Sequence, residues 1–130
     1  MSFLEAFKNW KDVKELPAKT VIFSETEEGD VMYVLLQGEV ELTLRGEPLG
    51  IESEGGIIGE MAMINTGKRS ATATSLSKVK LAVLNREQFE KVVAENLSFS
   101  LKVMAVLANR LRAADQFIAM EFGQDKARFS

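Results

Sequence analysis

The chain has 130 residues, 46% hydrophobic and 27% charged, enough for one packed core and too few for two ordinary domains, so a single domain over 1–130 with no bilayer-crossing stretch is expected. It has no Cys and no His, which removes disulfide frameworks, thiolate and His-based catalysis and Cys- or His-ligated metal sites, so neither an enzyme nor a metal protein is expected. The formal net charge of −3 comes without any basic stripe, and nucleic acid is not an expected partner of this chain alone.

Residues 1–20 carry Glu5, Asp12 and Glu15 among lysines and aromatics. They lack the basic start, apolar run and small-residue cleavage site of a secretory signal, so a cytoplasmic location is expected, with no membrane partner. Ser2 and Glu5 stand at capping-box spacing, Phe3, Phe7 and Trp10 recur at helical spacing, and Pro17 stops the pattern. This predicts an N-terminal helix within 1–18. From 19 to 84 short β-branched runs are separated by Gly, Asn, Asp and Glu, predicting strands at 20–23, 32–36, 39–44, 69–75 and 78–84. Val40, Leu42 and Leu44 alternate with Glu41 and Thr43, so one face is buried and the other wet. The expected architecture is mainly β with flanking helices, a small antiparallel jelly-roll-like β-barrel.

After Leu84 the apolar period changes from two to about 3.6, and the barrel gives way to C-terminal helices over 85–122. Asn85 and Gln88 form a second capping box before Phe89, Val92 and Val93. A longer helix over 98–122 carries two stripes. Phe99, Val103, Val106, Arg110, Ala113 and Phe117 can cover the barrel. Met104, Leu107, Leu111, Ala114 and Ile118 are left over, a seam that most simply meets its own copy in a homodimer. Packing of both stripes within one chain is the alternative.

The chemistry concentrates in 55–72, which begins Gly55-Gly56-Ile57-Ile58-Gly59-Glu60-Met61-Ala62 and ends Lys68-Arg69-Ser70-Ala71-Thr72. Gly59 lets the backbone approach a bound group, and one helical turn after it directs N–H groups at an anion. Arg69 offers a planar fork of donors suited to phosphate oxygens, and Ser70 adds a hydroxyl and a main-chain N–H. Glu60 would repel a multiply charged phosphate unless it bonded another part of the same ligand. A ribose hydroxyl fits. A 3′,5′-cyclic nucleotide has one phosphate charge for Arg69 and one free 2′-hydroxyl for Glu60. A structural ion pair between Glu60 and Arg69 is the plainer alternative. The glycines match neither P-loop nor dinucleotide-binding spacing.

Gly59-Glu60-Met61-Ala62 followed by Arg69-Ser70-Ala71 resembles the phosphate-binding cassette of the cyclic-nucleotide-binding domain superfamily, which includes the catabolite activator protein, kinase regulatory subunits and cyclic-nucleotide-gated channels. Gly29-Asp30, the Tyr33 to Gly38 strand and turn, Gly55 and the two helices extend the resemblance over nearly the whole chain. It implies a ligand site of Ile58, Gly59, Glu60, Met61, Ala62, Arg69, Ser70 and Ala71, with Glu60 on the ribose and Arg69 on the cyclic phosphate. Many members place Pro before the Arg; here Lys68 stands there. Arg110 is where members often have an Arg that reaches the ligand, a snorkelling surface Arg being the rival. Asp115 lies near where members use polar residues on the adenine amino group, so cAMP is expected over cGMP; a solvated face is its rival.

The resemblance implies a sensor that passes ligand binding to its C-terminal helices, with cAMP or cGMP as ligand, no other cofactor, and an effector protein as a further partner. Its transcription factors follow the long helix with a helix-turn-helix domain, and the eight residues after 122 are too few for one. A ligand-independent dimerisation or interaction module that keeps the fold is the alternative from another class.

Overall fold

A computed structural model describes residues 3–64 and 68–122, with side chains described as far as Arg112 in the last helix. Eight short strands are present among these residues: β1 Val13–Leu16, β2 Val21–Phe23, β3 Val31–Gln37, β4 Val40–Leu44, β5 Glu47–Glu52, β6 Ile57–Ile58, β7 Thr72–Ser75 and β8 Val79–Asn85. They form two antiparallel sheets of strand order β1-β8-β3-β6 and β2-β7-β4-β5. A 3-10 turn at Phe3–Phe7 precedes them, α1 (Met61–Ile64) interrupts them, and α2 (Arg86–Glu95) and α3 (Leu97–Phe122) follow. The expected mainly β, jelly-roll fold with flanking helices is the fold found.

Two cores explain the sequence pattern. Tyr33, Leu35, Ile58, Leu81 and Val83 of one sheet meet Phe23, Val40, Leu42 and Ala73 of the other inside the barrel. On the outer face of the first sheet, Met32, Val34, Ile57, Ala82 and Leu84 pack under Phe3, Phe7, Phe89, Phe99 and Val103. The middle strands β3 and β8 are therefore buried on both faces and read as near-continuous apolar runs. β4 is covered on one face and keeps the alternation.

The N-terminal helix is shorter than expected. Among the described residues of 1–18 only Phe3–Phe7 is helical, and Val13–Leu16 is a strand paired with β8. Trp10 leaves the helical path because its indole Nε1 donates to the Val83 carbonyl at 2.8 Å, which draws the chain onto the sheet edge. Ser2, the expected cap, lies outside the described residues.

The second capping box forms as expected: the Asn85 side chain accepts from the Gln88 N–H and the Gln88 side chain from the Asn85 N–H, each at 2.8 Å. Asn96 then ends α2 and starts α3, its carboxamide oxygen accepting from the Phe99 N–H at 2.9 Å. Along α3, Phe99, Val103 and Val106 are buried, as the first stripe requires. Of the second stripe Met104 and Leu111 are exposed, while the side chains of Ala114 and Ile118, like those of Ala113 and Phe117 of the first, lie outside the described residues. Leu107 packs partly on the core, and among the described residues the exposed large apolar side chains of α3 are Leu97, Leu101, Met104 and Leu111. Among the described residues no single helix is long and apolar enough to cross a membrane.

Candidate functional site

The site begins where β6 runs out. Ile57 and Ile58 are buried on opposite sides of the first sheet, and the chain then turns through Gly59 at φ +76°, a left-handed conformation that disfavours any side chain. The Ala62 N–H donates to the Gly59 carbonyl at 3.2 Å and the Met63 N–H to the Glu60 carbonyl at 3.0 Å, which starts α1. Glu60 is thereby turned inward and is completely buried.

Its partner comes from α3. Arg110 Nη1 stands 2.7 Å from Glu60 Oε2, so an ion pair ties the cassette to the long helix. Arg110 is accordingly not a free snorkelling side chain, and the ion pair of Glu60 is with Arg110 rather than Arg69. Neither carboxylate oxygen of Glu60 makes a well-aligned hydrogen bond among the described residues, although its own backbone N–H favours the ionised form, as Arg110 does. Burial pushes the Glu60 carboxyl above its ordinary 4.5, and the Arg110 charge is the main opposing influence.

Arg69 is held at both ends. Its N–H donates to the Glu27 carbonyl at 2.7 Å and its carbonyl accepts from the Thr26 N–H at 2.9 Å, pinning this arm to the loop between β2 and β3. Its side chain is only 8% exposed. The guanidinium carbon lies 4.3 Å from the centre of the Phe23 ring, and Nη1 donates to the Gly59 carbonyl at 3.3 Å. A Cβ on Gly29 would come within 2.1 Å of Arg69 Nε, and one on Gly59 within 2.6 Å of Nη1, so these two positions are Gly because the guanidinium occupies the space. Nε is buried without a hydrogen-bond partner among the described residues. Burial lowers the Arg69 pKa, opposed by Tyr33 and Asp30, and a guanidinium nevertheless stays protonated at any ordinary pH.

The matching family model is that of the cyclic nucleotide-binding domain, and it covers residues 13–96. This chain belongs to that family. The domain is 26% identical over 110 residues to a CRP-like cAMP-activated global transcriptional regulator of Mycobacterium tuberculosis, covering 81% of this chain and 49% of that protein. The crystal structure of the Thermus thermophilus catabolite activator protein superposes with a TM-score of 0.75 at 26% identity, covering 91% of this chain and 58% of that one. An EAL enzyme in its cAMP-bound form superposes at 0.59 and 34% identity, covering 86% of this chain and 32% of that one. Its cGMP-bound form gives 0.60, with 78% and 28% covered. The domain thus spans about half the length of the first two of these relatives.

Of the ten site residues expected from sequence, Gly59, Met61, Ala62, Arg69, Ser70, Ala71 and Arg110 line one cavity. Glu60 stands behind it, on Arg110. Ile58 does not reach it, because strand parity sends its side chain into the barrel core. The Asp115 side chain lies outside the described residues, as do 65–67 of the cassette. Phe23, Leu42 and Lys68 line the cavity without having been expected there. Among the described residues the cavity measures about 20 Å³, room for one water molecule rather than for a nucleotide.

Proposed function

We propose that the domain is a non-catalytic regulatory sensor that binds a 3′,5′-cyclic purine nucleotide, cAMP in preference to cGMP, and passes the event to α3. The observation that carries this reading is that Arg69 and Arg110 line one cavity, Glu60 stands behind it on Arg110, and Arg69 Nε is buried without a hydrogen-bond partner among the described residues. A buried polar group left unsatisfied costs about 1–3 kcal/mol, which a ligand that bonds it returns. A cyclic phosphate supplies the anion for Arg69, and a ribose 2′-hydroxyl donates to Glu60. The preference for cAMP rests on the sequence position of Asp115, since a carboxylate accepts from an adenine amino group and repels the carbonyl that guanine presents instead.

Transmission follows from the same pair. Opening the cavity separates the cassette from α3, and Glu60–Arg110 is the ion pair that joins them, so ligand binding and helix position are linked. In this reading α3 meets its own copy through Leu97, Leu101, Met104 and Leu111, and an effector reads the rearrangement. The second reading, a ligand-independent dimerisation module, draws on the same exposed row.

Calorimetric titration with cAMP, cGMP and 5′-AMP tests the proposal. Saturable binding of cAMP, weaker binding of cGMP and none of the open-chain monophosphate are expected, with hydrogen exchange in α3 altered by cAMP. Silence from both cyclic nucleotides, with a dimer that persists, supports the second reading instead.

A further inference from the structure

We propose that Phe23 is a positioning residue for Arg69: its ring sets the plane of the guanidinium and so governs phosphate affinity without touching the phosphate. The inference rests on the cassette reading above. In an unbroken strand, residues 21 and 23 share a face. Here Val21 is 54% exposed and Phe23 6% exposed, because β2 slips register against β7, Val21 pairing with Thr74 but Phe23 with Ala73. This bulge turns Phe23 into the barrel mouth, the use to which bulges beside sites are often put.

Inside, the ring lies nearly parallel to Tyr33, 17° between planes with centres 6.2 Å apart, so its tilt is set by the core rather than by Arg69. The guanidinium then rests over it at 4.3 Å, in the space left by Gly29 and Gly59. A guanidinium carries all five N–H donors in its own plane, so stacking occupies a face and leaves the edges for an anion. Nε, buried and without a hydrogen-bond partner among the described residues, is such an edge. A long side chain held in this way gives up less freedom when the phosphate arrives, which is how a residue remote from the ligand raises affinity.

The test joins calorimetry with cAMP to the NMR resonance of Arg69 Hε in the full chain, assigned by its loss in Arg69→Lys. Wild type is expected to show that proton displaced by the ring current of Phe23. Phe23→Leu, which keeps an apolar side chain but no π face, is expected to weaken cAMP by about tenfold and to remove the displacement. Phe23→Tyr, which keeps the ring, is expected to stay within about twofold of wild type. An undisplaced Hε in wild type, or wild-type affinity in a folded Phe23→Leu, overturns the inference while leaving the cassette reading intact. If Phe23→Leu fails to fold, the wild-type resonance and the Phe23→Tyr affinity decide. Wild type that binds neither cyclic nucleotide overturns the cassette reading, and the role of Phe23 with it, even where the ring-current shift is present.

Discussion

Gly29→Ala separates the fold from the site. The added methyl would stand 2.1 Å from Arg69 Nε, 2.3 Å from Cζ and 2.6 Å from Nη2, where ordinary contact begins at 3.4 Å. The backbone at 29 is not left-handed, so alanine fits the main chain and the strain falls on the guanidinium, which must withdraw by about 1.3 Å. Withdrawal forfeits the stacking on Phe23, about 0.5–2 kcal/mol, and the bond to Gly59, about 1 kcal/mol. Reduced freedom of the unfolded chain returns about 0.4–1 kcal/mol, so stability falls by about 0.5–2.6 kcal/mol. Binding is hit harder. A misplaced charge-assisted hydrogen bond removes about 1.5–3 kcal/mol, or about 10- to 100-fold in the Kd for cAMP. Thermal melting and calorimetry on the same sample read both quantities. Wild-type affinity in a folded Gly29→Ala would refute the reasoning, since Arg69 would then bind phosphate without its slot.

Arg110→Gln leaves Glu60 buried without its countercharge and is expected to lower stability at pH 7 by about 1–3 kcal/mol in urea melts, with recovery in the Glu60→Gln double variant. Because the folded-state pKa of Glu60 is raised, its contribution to stability is fully present below about pH 4.5 and is lost as pH rises through the raised value. Urea melts across this range should therefore show wild type losing stability with rising pH relative to Glu60→Gln. Leu101→Glu, at a side chain 53% exposed, should leave melting nearly unchanged but convert a dimer to a monomer in sedimentation; a wild type that is monomeric would remove the proposed seam. Asn85→Ala breaks the capping box of α2, at a cost of about 1 kcal/mol in melting, with cAMP affinity unchanged.

Much of this was legible because local chemistry and tertiary structure agree. The alternation at 40–44, the capping box at Asn85 and the buried stripe of α3 each state their role in a few neighbouring residues. β5 escaped notice because Pro48 and Gly50 weaken a strand signal, and both are tolerated here since β5 is a sheet edge. The start of β7 was placed early, at Arg69 rather than Thr72. The Arg69 main chain is taken by Thr26 and Glu27, a pairing between segments more than forty residues apart.

The site divides in the same way. Its cassette residues stand together in sequence, and seven of ten expected positions share the cavity. The pairing of Glu60 with Arg110 joins residues fifty apart, and helical periodicity placed Arg110 on the correct face without naming its partner. Phe23 was invisible as a site residue because simple alternation puts it on the same face as exposed Val21, and only the bulge reverses that parity. Lys68 carried a weak signal, its place beside Arg69 in the loop proposed to hold a phosphate.

The most direct measurement is a calorimetric titration of wild type and Arg69→Ala with cAMP under identical salt. The account predicts saturable binding at one site per chain in wild type and an affinity weaker by about 100-fold or more in the variant, both proteins being folded. Equal affinity in the two would contradict it, because the phosphate would then be held by something other than Arg69.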